Sequence, residues 1–169
     1  MPRVPTLGIF LYSTSMSRAF IHELSSCSGV VLYTPCHDEV DPLLFSPIAL
    51  VKNIVVIPRD IHADVATWAR TCVTTLKRQK NVCVAVPGTA FDMYGTRHGH
   101  GGGWYDRFLS YLPKEWTRIG VATPQTFTIN KTLTRQSWDE PVDYVLVYDA
   151  SASSWIVHEA SLRRPCTRM

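Results

Sequence analysis

Short apolar runs recur along the chain, and the intervals between them are long enough to hold a helix. The runs are rich in β-branched residues and are bounded by proline, glycine or polar residues, which is typical of buried strands. Because strands of a parallel sheet are buried on both faces, such continuous apolar runs favour a mostly parallel sheet. The runs are Val30–Tyr33, Ile54–Ile57, Val82–Val86, Ile119–Ala122 and Tyr144–Tyr148, and Trp155–His158 is a candidate last strand.

Three other segments carry a helical pattern. In the clearest one, apolar residues recur at three- and four-residue spacing from Val65 to Leu76, which gives the helix one continuous apolar face. The segments are residues 63–79, residues 17–25 with Ser17 as N-cap, and a segment that starts near Gly103 and stops at Pro113. Alternation of strands and helices predicts an α/β fold, a three-layer Rossmann-like sheet with helices on both faces. Ligands of such folds bind at the carboxyl ends of the strands.

Length and composition fit one globular domain over residues 1–169, since 46% of the residues are hydrophobic and 18% are charged. The net charge of +3 is too small to indicate nucleic-acid binding by itself. The charges are unevenly spread, however, because residues 70–135 are rich in Lys and Arg, whereas residues 136–160 contain five acids and no Lys or Arg. A basic region beside an acidic one suits an anionic ligand held near a metal, and chance clustering on solvated surfaces explains it equally well.

The five cysteines are odd in number and form no CxxC pair, so neither a disulfide framework nor a zinc site is indicated. A reducing compartment is expected, with Cys72 and Cys83 packed as small apolar side chains. No apolar run reaches the roughly 18 residues that a membrane span needs, so no membrane partner is expected.

The N-terminal segment allows two interpretations. Residues 1–22 contain arginines and hydroxyl residues but no acid, which weakly resembles a mitochondrial targeting segment. Residues 1–16 would then be a targeting or disordered leader. The alternative is an ordinary first strand at Leu7–Tyr12 followed by a helix, in a cytoplasmic protein. At the other end, residues 160–169 form a basic tail.

The stretch most informative about function is VPGTAFDMYGTRHGHGGGWYDRFL, residues 86–109. A predicted strand ends at Val86, a glycine-rich loop follows, and a helix begins near Gly103. Glycines allow positive φ and close approach of a ligand, and consecutive backbone N–H groups can form a concave anion site. The N-terminus of the helix adds partial positive charge.

The charged residues of this stretch suit a phosphate site. Arg97 supplies a planar fork for phosphate oxygens, and protonated His98 and His100 could add donors. Asp106 could bind Mg²⁺ or cap the helix. A flexible surface loop is the competing interpretation, but such loops lack flanking Arg, His and aromatic residues. The stretch is neither a Walker loop nor a GxGxxG motif.

The same stretch resembles the signature of the 5-formyltetrahydrofolate cyclo-ligases, also called methenyltetrahydrofolate synthetases, which runs roughly P-G-x-x-F-D-x-x-G-x-R-L-G-x-G-G-G-Y-Y-D-R. His98 replaces the usual Leu and Trp104 the first Tyr. Weaker similarity covers most of residues 17–148, including Glu39 in a segment similar to Y-x-P-x-x-x-E-V-D. The matching residues are Pro87, Gly88, Phe91, Asp92, Gly95, Arg97, Gly99, Gly101, Gly102, Gly103, Tyr105, Asp106 and Arg107.

The resemblance implies an enzyme that uses ATP and Mg²⁺ to convert 5-formyltetrahydrofolate into 5,10-methenyltetrahydrofolate. The formyl oxygen takes the γ-phosphoryl group, a second folate nitrogen attacks, and phosphate leaves. A sugar-isomerase/CoA-transferase-like fold is also implied. The implied roles are nucleotide or phosphate binding by Arg97, Gly99, His100, Gly101, Gly102, Gly103, Trp104 and Tyr105, magnesium binding by Asp106 and Asp143, and folate binding by Glu39 and Tyr105.

Two departures from the family keep other functions open. The family usually begins with a basic helix that reaches the ATP phosphates, whereas a single arginine, Arg3, precedes Ser17 here. The family also carries a longer piece after the strand ending at Pro58-Arg59, and that piece walls the folate site. The alternative is a non-catalytic subunit of a larger assembly, for example a mitochondrial ribonucleoprotein, with protein or RNA partners and a retained nucleotide loop. Another ATP-dependent ligase or kinase is the third option.

Overall fold

The structure is a computed structural model that describes residues 24, 26–36, 38–49, 51–58 and 64–161. The predicted helix at 17–25 lies outside these residues, apart from Leu24. The predicted leader at 1–16 and residues 162–169 of the basic tail also lie outside them.

A six-stranded sheet forms the centre of the fold. Its strand order is β2-β1-β3-β6-β8-β9, and all neighbours are parallel except β8 and β9. The six predicted strands are confirmed, with ends that differ by at most two residues. They are β1 (Gly29–Tyr33), β2 (Asn53–Ile57), β3 (Val82–Val86), β6 (Thr117–Ala122), β8 (Tyr144–Asp149) and β9 (Ser154–Glu159).

Helices cover both faces of this sheet, so the predicted α/β class is confirmed. On one face, helices α2 and α3 pack against Val31 and Val84. On the other face, Phe45, which caps a short 3-10 helix, and Ile48 of α1 pack with Leu24 against Val30. Over residues 26–161, where described, the helices are the 3-10 helix at Pro42–Leu44, α1 (Ser46–Ala49), α2 (Val65–Leu76) and α3 (Trp104–Tyr111). None of the helices in the described ranges is long and apolar enough to cross a bilayer.

Helix α2 shows how local sequence sets an element's limits. The Asp64 side chain accepts a hydrogen bond from the Thr67 amide and caps the first turn. Ala69, Cys72 and Leu76 then form the buried stripe, as the spacing predicts. The Cys72 side chain packs as a small apolar group, as predicted, and its burial raises the pKa of the thiol to about 11.

A second, smaller sheet was not expected. Its strands, in the order β5-β4-β7, are too short to produce an apolar period. Phe91 of β4 packs so closely on β6 that a Cβ at Gly120 would clash with its ring. The absence of a side chain at Gly120 thereby lets the small sheet pack closely against the large one. The strands are β4 (Ala90–Asp92), β5 (Arg97–His98) and β7 (Phe127–Thr128).

Candidate active site

A cavity of about 670 Å³ opens where the glycine-rich loop meets the carboxyl ends of the strands. Pro87 and Gly88, which follow β3, form part of its wall, and Glu39, which follows β1, lines it as well. The volume is within the range of small-molecule sites, roughly 300–1,000 Å³. The position agrees with the rule that ligands of open α/β sheets bind beyond the carboxyl ends of the strands.

Three consecutive glycines present bare backbone to this cavity. A Cβ atom added at Gly101, Gly102 or Gly103 would have nothing within 4 Å. Gly101 has a φ of 88° and Gly103 a φ of 60°, which side-chain-bearing residues rarely adopt. Helix α3 begins directly after Gly103, so its positive end also faces the cavity. This loop and helix start form a cradle that suits an anion.

Arg97 lines the cavity, but its guanidinium is held by the protein itself. Its Nη2 lies 2.8 Å from Oδ2 of Asp106, and both side chains are largely buried, at 4% and 14% exposure. Its Nη1 donates to the Pro87 carbonyl at 3.3 Å, and the guanidinium lies 5.6 Å from the centre of the Tyr105 ring. Gly99 leaves room for this arrangement, since a Cβ there would be 2.7 Å from Nη1. Arg97 therefore fixes Asp106 on the first turn of α3.

Asp92, which the sequence analysis names only as part of the signature, organises the local structure. It is fully buried, and its carboxylate accepts hydrogen bonds from the amides of Tyr94 at 3.0 Å, Thr96 at 2.9 Å and Leu133 at 2.9 Å. The first two bonds shape the turn that contains Gly95. The third ties that turn to the loop between β7 and β8. An aspartate three residues before a glycine is a turn signal that could have revealed part of this role.

The loop at residues 129–143 closes one side of the cavity. His98 Nε2 lies 2.7 Å from the Thr134 carbonyl, which can only accept, so Nε2 carries the proton in this bond. Farther along, the Glu140 amide donates to Oδ1 of Asp106 at 3.2 Å. The loop is thus attached to β5 at Thr134 and to helix α3 at Glu140.

Glu140 is itself held by two cations. Its carboxylate lies 3.0 Å from Lys114 Nζ and is hydrogen-bonded to the buried Arg118. Partial burial opposes ionisation of Glu140, but the hydrogen bonds from Arg118 and Lys114 outweigh it and hold the pKa below its ordinary value. The ion pairs strengthen the attachment of the loop beside Asp106.

Glu39, Tyr105 and His100 come together on another side of the cavity. Glu39 is 12% exposed, its Oε2 accepts from the Cys36 amide at 2.8 Å, and its Oε1 lies 3.8 Å from His100 Nε2. Burial, with the nearby negative charge of Glu39, raises the pKa of Tyr105 far above its ordinary value despite the opposing effect of Arg97. The Tyr105 hydroxyl therefore stays protonated and available as a hydrogen-bond donor.

Aromatic side chains complete the lining. Trp104 stacks on Phe108 with ring centres 5.0 Å apart and meets Tyr105 edge-on at 4.9 Å. Trp138, which the sequence analysis did not single out, lines the cavity with 69% of its surface exposed. In the sequence, the only sign of this position was an aromatic residue within an acidic segment that shows no helix or strand period.

One predicted site residue lies elsewhere. Asp143 does not line the cavity; it precedes β8 at the amino end of that strand, and its Oδ2 accepts from the Arg118 amide at 2.8 Å. The two carboxylates predicted to share a magnesium ion, Asp106 and Asp143, are therefore not brought together. Within the described ranges, no group of three or more His, Cys, Asp or Glu side chains is placed to hold a metal. Asp106 and Asp139 both line the cavity, however, and Mg²⁺ usually takes one or two carboxylates together with phosphate oxygens.

Comparisons with known proteins converge on one family. Residues 28–148 match the model of the 5-formyltetrahydrofolate cyclo-ligase family. The chain is similar to a 5-formyltetrahydrofolate cyclo-ligase of Mycoplasma pneumoniae, at 24% identity over 131 residues, which cover 76% of this chain and 77% of the relative. A 5,10-methenyltetrahydrofolate synthetase structure from Aquifex aeolicus aligns with a TM-score of 0.50 at 21% identity, covering 90% of this chain and 89% of that chain. One from Mycoplasma pneumoniae aligns with a TM-score of 0.51 at 19% identity, covering 76% and 77%.

Proposed function

Because the chain belongs to the 5-formyltetrahydrofolate cyclo-ligase family, we propose that it closes the ring of 5-formyltetrahydrofolate at the expense of ATP. The products are 5,10-methenyltetrahydrofolate, ADP and phosphate. The observation that carries the proposal is the shared cavity, in which the open glycine cradle faces the same space as Glu39 and Tyr105. One space can thus hold a phosphate donor and a second ligand side by side.

In the proposed reaction the cradle holds the phosphates of ATP. Phosphoryl transfer depends mostly on positioning and on stabilising the charge of the transferred group. Backbone N–H groups of Gly101–Gly103 and the first turn of α3 supply this stabilisation without side chains. Asp106, fixed by Arg97, and Asp139 are the carboxylates that would hold Mg²⁺, and the ion would neutralise charge on the phosphate oxygens.

Glu39 and Tyr105 orient the folate. A largely buried carboxylate suits the N–H-rich edge of a pterin, and a protonated phenol suits an acceptor such as the formyl oxygen. The formyl oxygen attacks the γ-phosphorus, and the bond to ADP breaks. The second nitrogen then attacks the formyl carbon and loses its proton to solvent, and phosphate leaves with the former formyl oxygen. These roles are assigned by matching the steps of the family's reaction to the residues that line the cavity.

The test is turnover by the full chain with Mg-ATP and 5-formyltetrahydrofolate, followed by absorbance of the methenyl product and by release of ADP. Glu39→Gln is expected to lower kcat/KM for the folate by about 10–100-fold, which is the loss of one charge-assisted hydrogen bond. Asp38→Asn is the matched control, since Asp38 is exposed and does not line this cavity. Absence of product at high enzyme concentration would overturn the proposal.

A second candidate function is nucleotide binding without turnover, in a subunit of a larger assembly. The supporting observation is the charge of the cavity: within the described ranges, Arg97 is its only Lys or Arg, and Asp106 neutralises it. Transferring a phosphoryl group usually requires more positive charge than that. Binding and turnover measured on the same sample separate the two candidates, because binding of ADP with no product formation selects the second.

A further inference from the structure

Trp138 occupies an unusual position among the exposed apolar side chains of the protein. A single exposed apolar residue is ordinary and needs no explanation. Trp138, however, lines the cavity that contains the glycine cradle, and 69% of its surface is exposed there. By comparison Tyr111, also exposed and aromatic, lies on α3 and lines no part of this cavity.

The backbone around Trp138 is fixed on both sides. The Leu133 amide is bonded to the buried Asp92, and the Thr134 carbonyl is bonded to His98. The Glu140 amide is bonded to Asp106, whose position Arg97 sets in turn. The indole is thus presented to the cavity by a backbone attached at both ends.

A tight turn adds to this restraint. The Gln136 amide donates to the Asp139 carboxylate at 2.7 Å, and the Asp139 amide donates to the Gln136 carbonyl at 3.2 Å. Trp138 lies inside this turn. Fixing the backbone that carries an aromatic side chain lowers the entropy lost when a ligand stacks on that side chain.

The two ligand subsites can be told apart by their chemistry. Glu39 lies beside His100, before the cradle, and offers a carboxylate to an N–H-rich ring. Trp138 is adjacent in sequence to Asp139, one of the proposed magnesium ligands, and lies two residues before Glu140, whose amide donates to Asp106. The backbone that carries Trp138 is therefore tied to the residues that would hold the metal of the nucleotide. A neutral aromatic surface, open to solvent on one face, suits a purine base better than a charged group.

We infer that Trp138 is the stacking surface for the purine base of the nucleotide whose phosphates occupy the glycine cradle. This inference rests on the proposed function, because it takes the ligand of the cradle to be a nucleotide. Trp138 thereby determines specificity for a base-bearing phosphate donor over bare polyphosphate.

The test compares two probes on the full chain by calorimetry in the presence of Mg²⁺: ADP and inorganic tripolyphosphate. Trp138→Ala is expected to weaken ADP binding by about 10-fold, the usual loss when an aromatic stacking partner is truncated, and to leave tripolyphosphate binding unchanged. Trp138→Phe keeps an aromatic ring and is expected to retain most of the affinity. Tyr111→Ala, the matched control, is expected to change neither, and equal melting temperatures establish that all variants fold.

Three results would overturn the inference. One is unchanged ADP affinity in Trp138→Ala. Another is equal weakening of both probes, which would mean that the residue supports the cradle and not the base. The last is a raised KM for 5-formyltetrahydrofolate with an unchanged KM for ATP, which would assign Trp138 to the folate. In each case the wild-type chain can still form product, so failure of the inference is distinguishable from failure of the proposed function.

Discussion

Replacing Asp92 by asparagine is expected to lower the free energy of unfolding by about 2–4 kcal/mol. In the wild-type chain one carboxylate oxygen accepts from Tyr94 and Thr96, and the other accepts from Leu133. An asparagine can keep its oxygen toward the first two amides only by turning its NH₂ toward the third. The Leu133 N–H then loses its acceptor and faces another donor.

The magnitude follows from the burial of this site. Asp92 has no exposed surface, so water cannot replace the missing acceptor. A hydrogen bond to a charged group contributes about 1.5–3 kcal/mol, and a buried donor without a partner costs about 1–3 kcal/mol. Because the asparagine oxygen preserves part of the first two bonds, the sum is reduced to about 2–4 kcal/mol. For a chain of this length the corresponding fall in Tm is about 5–15 °C.

Chemical denaturation of wild type and Asp92→Asn measures the effect, with Asp38→Asn as the control for loss of one exposed carboxylate. Hydrogen exchange adds a local readout, since the Leu133 amide should lose protection before the strands of the large sheet do. A change below about 0.5 kcal/mol would refute the reasoning, because that is the range of an ordinary surface substitution. So would unchanged exchange at Leu133.

Gly101→Ala is expected to destabilise the fold by about 1–2 kcal/mol, because Gly101 has a positive φ. Gly102→Ala lacks that constraint and should cost less, and chemical denaturation of both variants measures the difference in unfolding free energy. Asp106→Asn should cost about 3–5 kcal/mol by leaving buried Arg97 without its counter-charge, which a fall in Tm would reveal. The lowered pKa of Glu140 means that its ion pairs stabilise the fold above the ordinary glutamate pKa and are lost as the pH falls through the folded-state value. The stability difference between wild type and Glu140→Gln should therefore be largest near neutral pH and shrink in acid.

The central strands β1, β3 and β6 of the large sheet were predictable because they are buried on both faces. Burial of that kind selects continuous apolar sequence, and Val82–Val86 carries this signal over its whole length. Helix α2 was predictable for a related reason, since one buried stripe produces a helical period. Its ends were placed two or three residues too far out, because the sequence period says little about which residue caps the helix.

The small sheet and the loop at residues 129–143 were not predictable from periodicity. Strands of two or three residues contain too few positions to show a period, and the loop is held by hydrogen bonds to backbone groups that leave no mark in the sequence. Asp92 illustrates the difficulty, because one of its partners is 41 residues away. The position of Asp143, in contrast, could have been anticipated, because Asp143 directly precedes the predicted strand Tyr144–Tyr148 and ligands bind at the carboxyl ends of parallel strands.

Arg97 is one of the basic residues of segment 70–135, and its pairing with Asp106 limits how strongly its charge can attract a phosphate. Arginine beside a glycine loop suggested direct attraction for phosphate, but this arginine is largely buried and its charge is matched by a carboxylate 2.8 Å away. Glu39 and Asp139 add further negative charge to the cavity wall. Because no other Lys or Arg of the described residues lines the cavity, the attraction for an anion that they offer comes mainly from the backbone N–H groups of the cradle and the start of α3, to which a metal ion would add. Those dipoles are fixed by the fold, so what the Arg97–Asp106 pair contributes is their position and not its own charge.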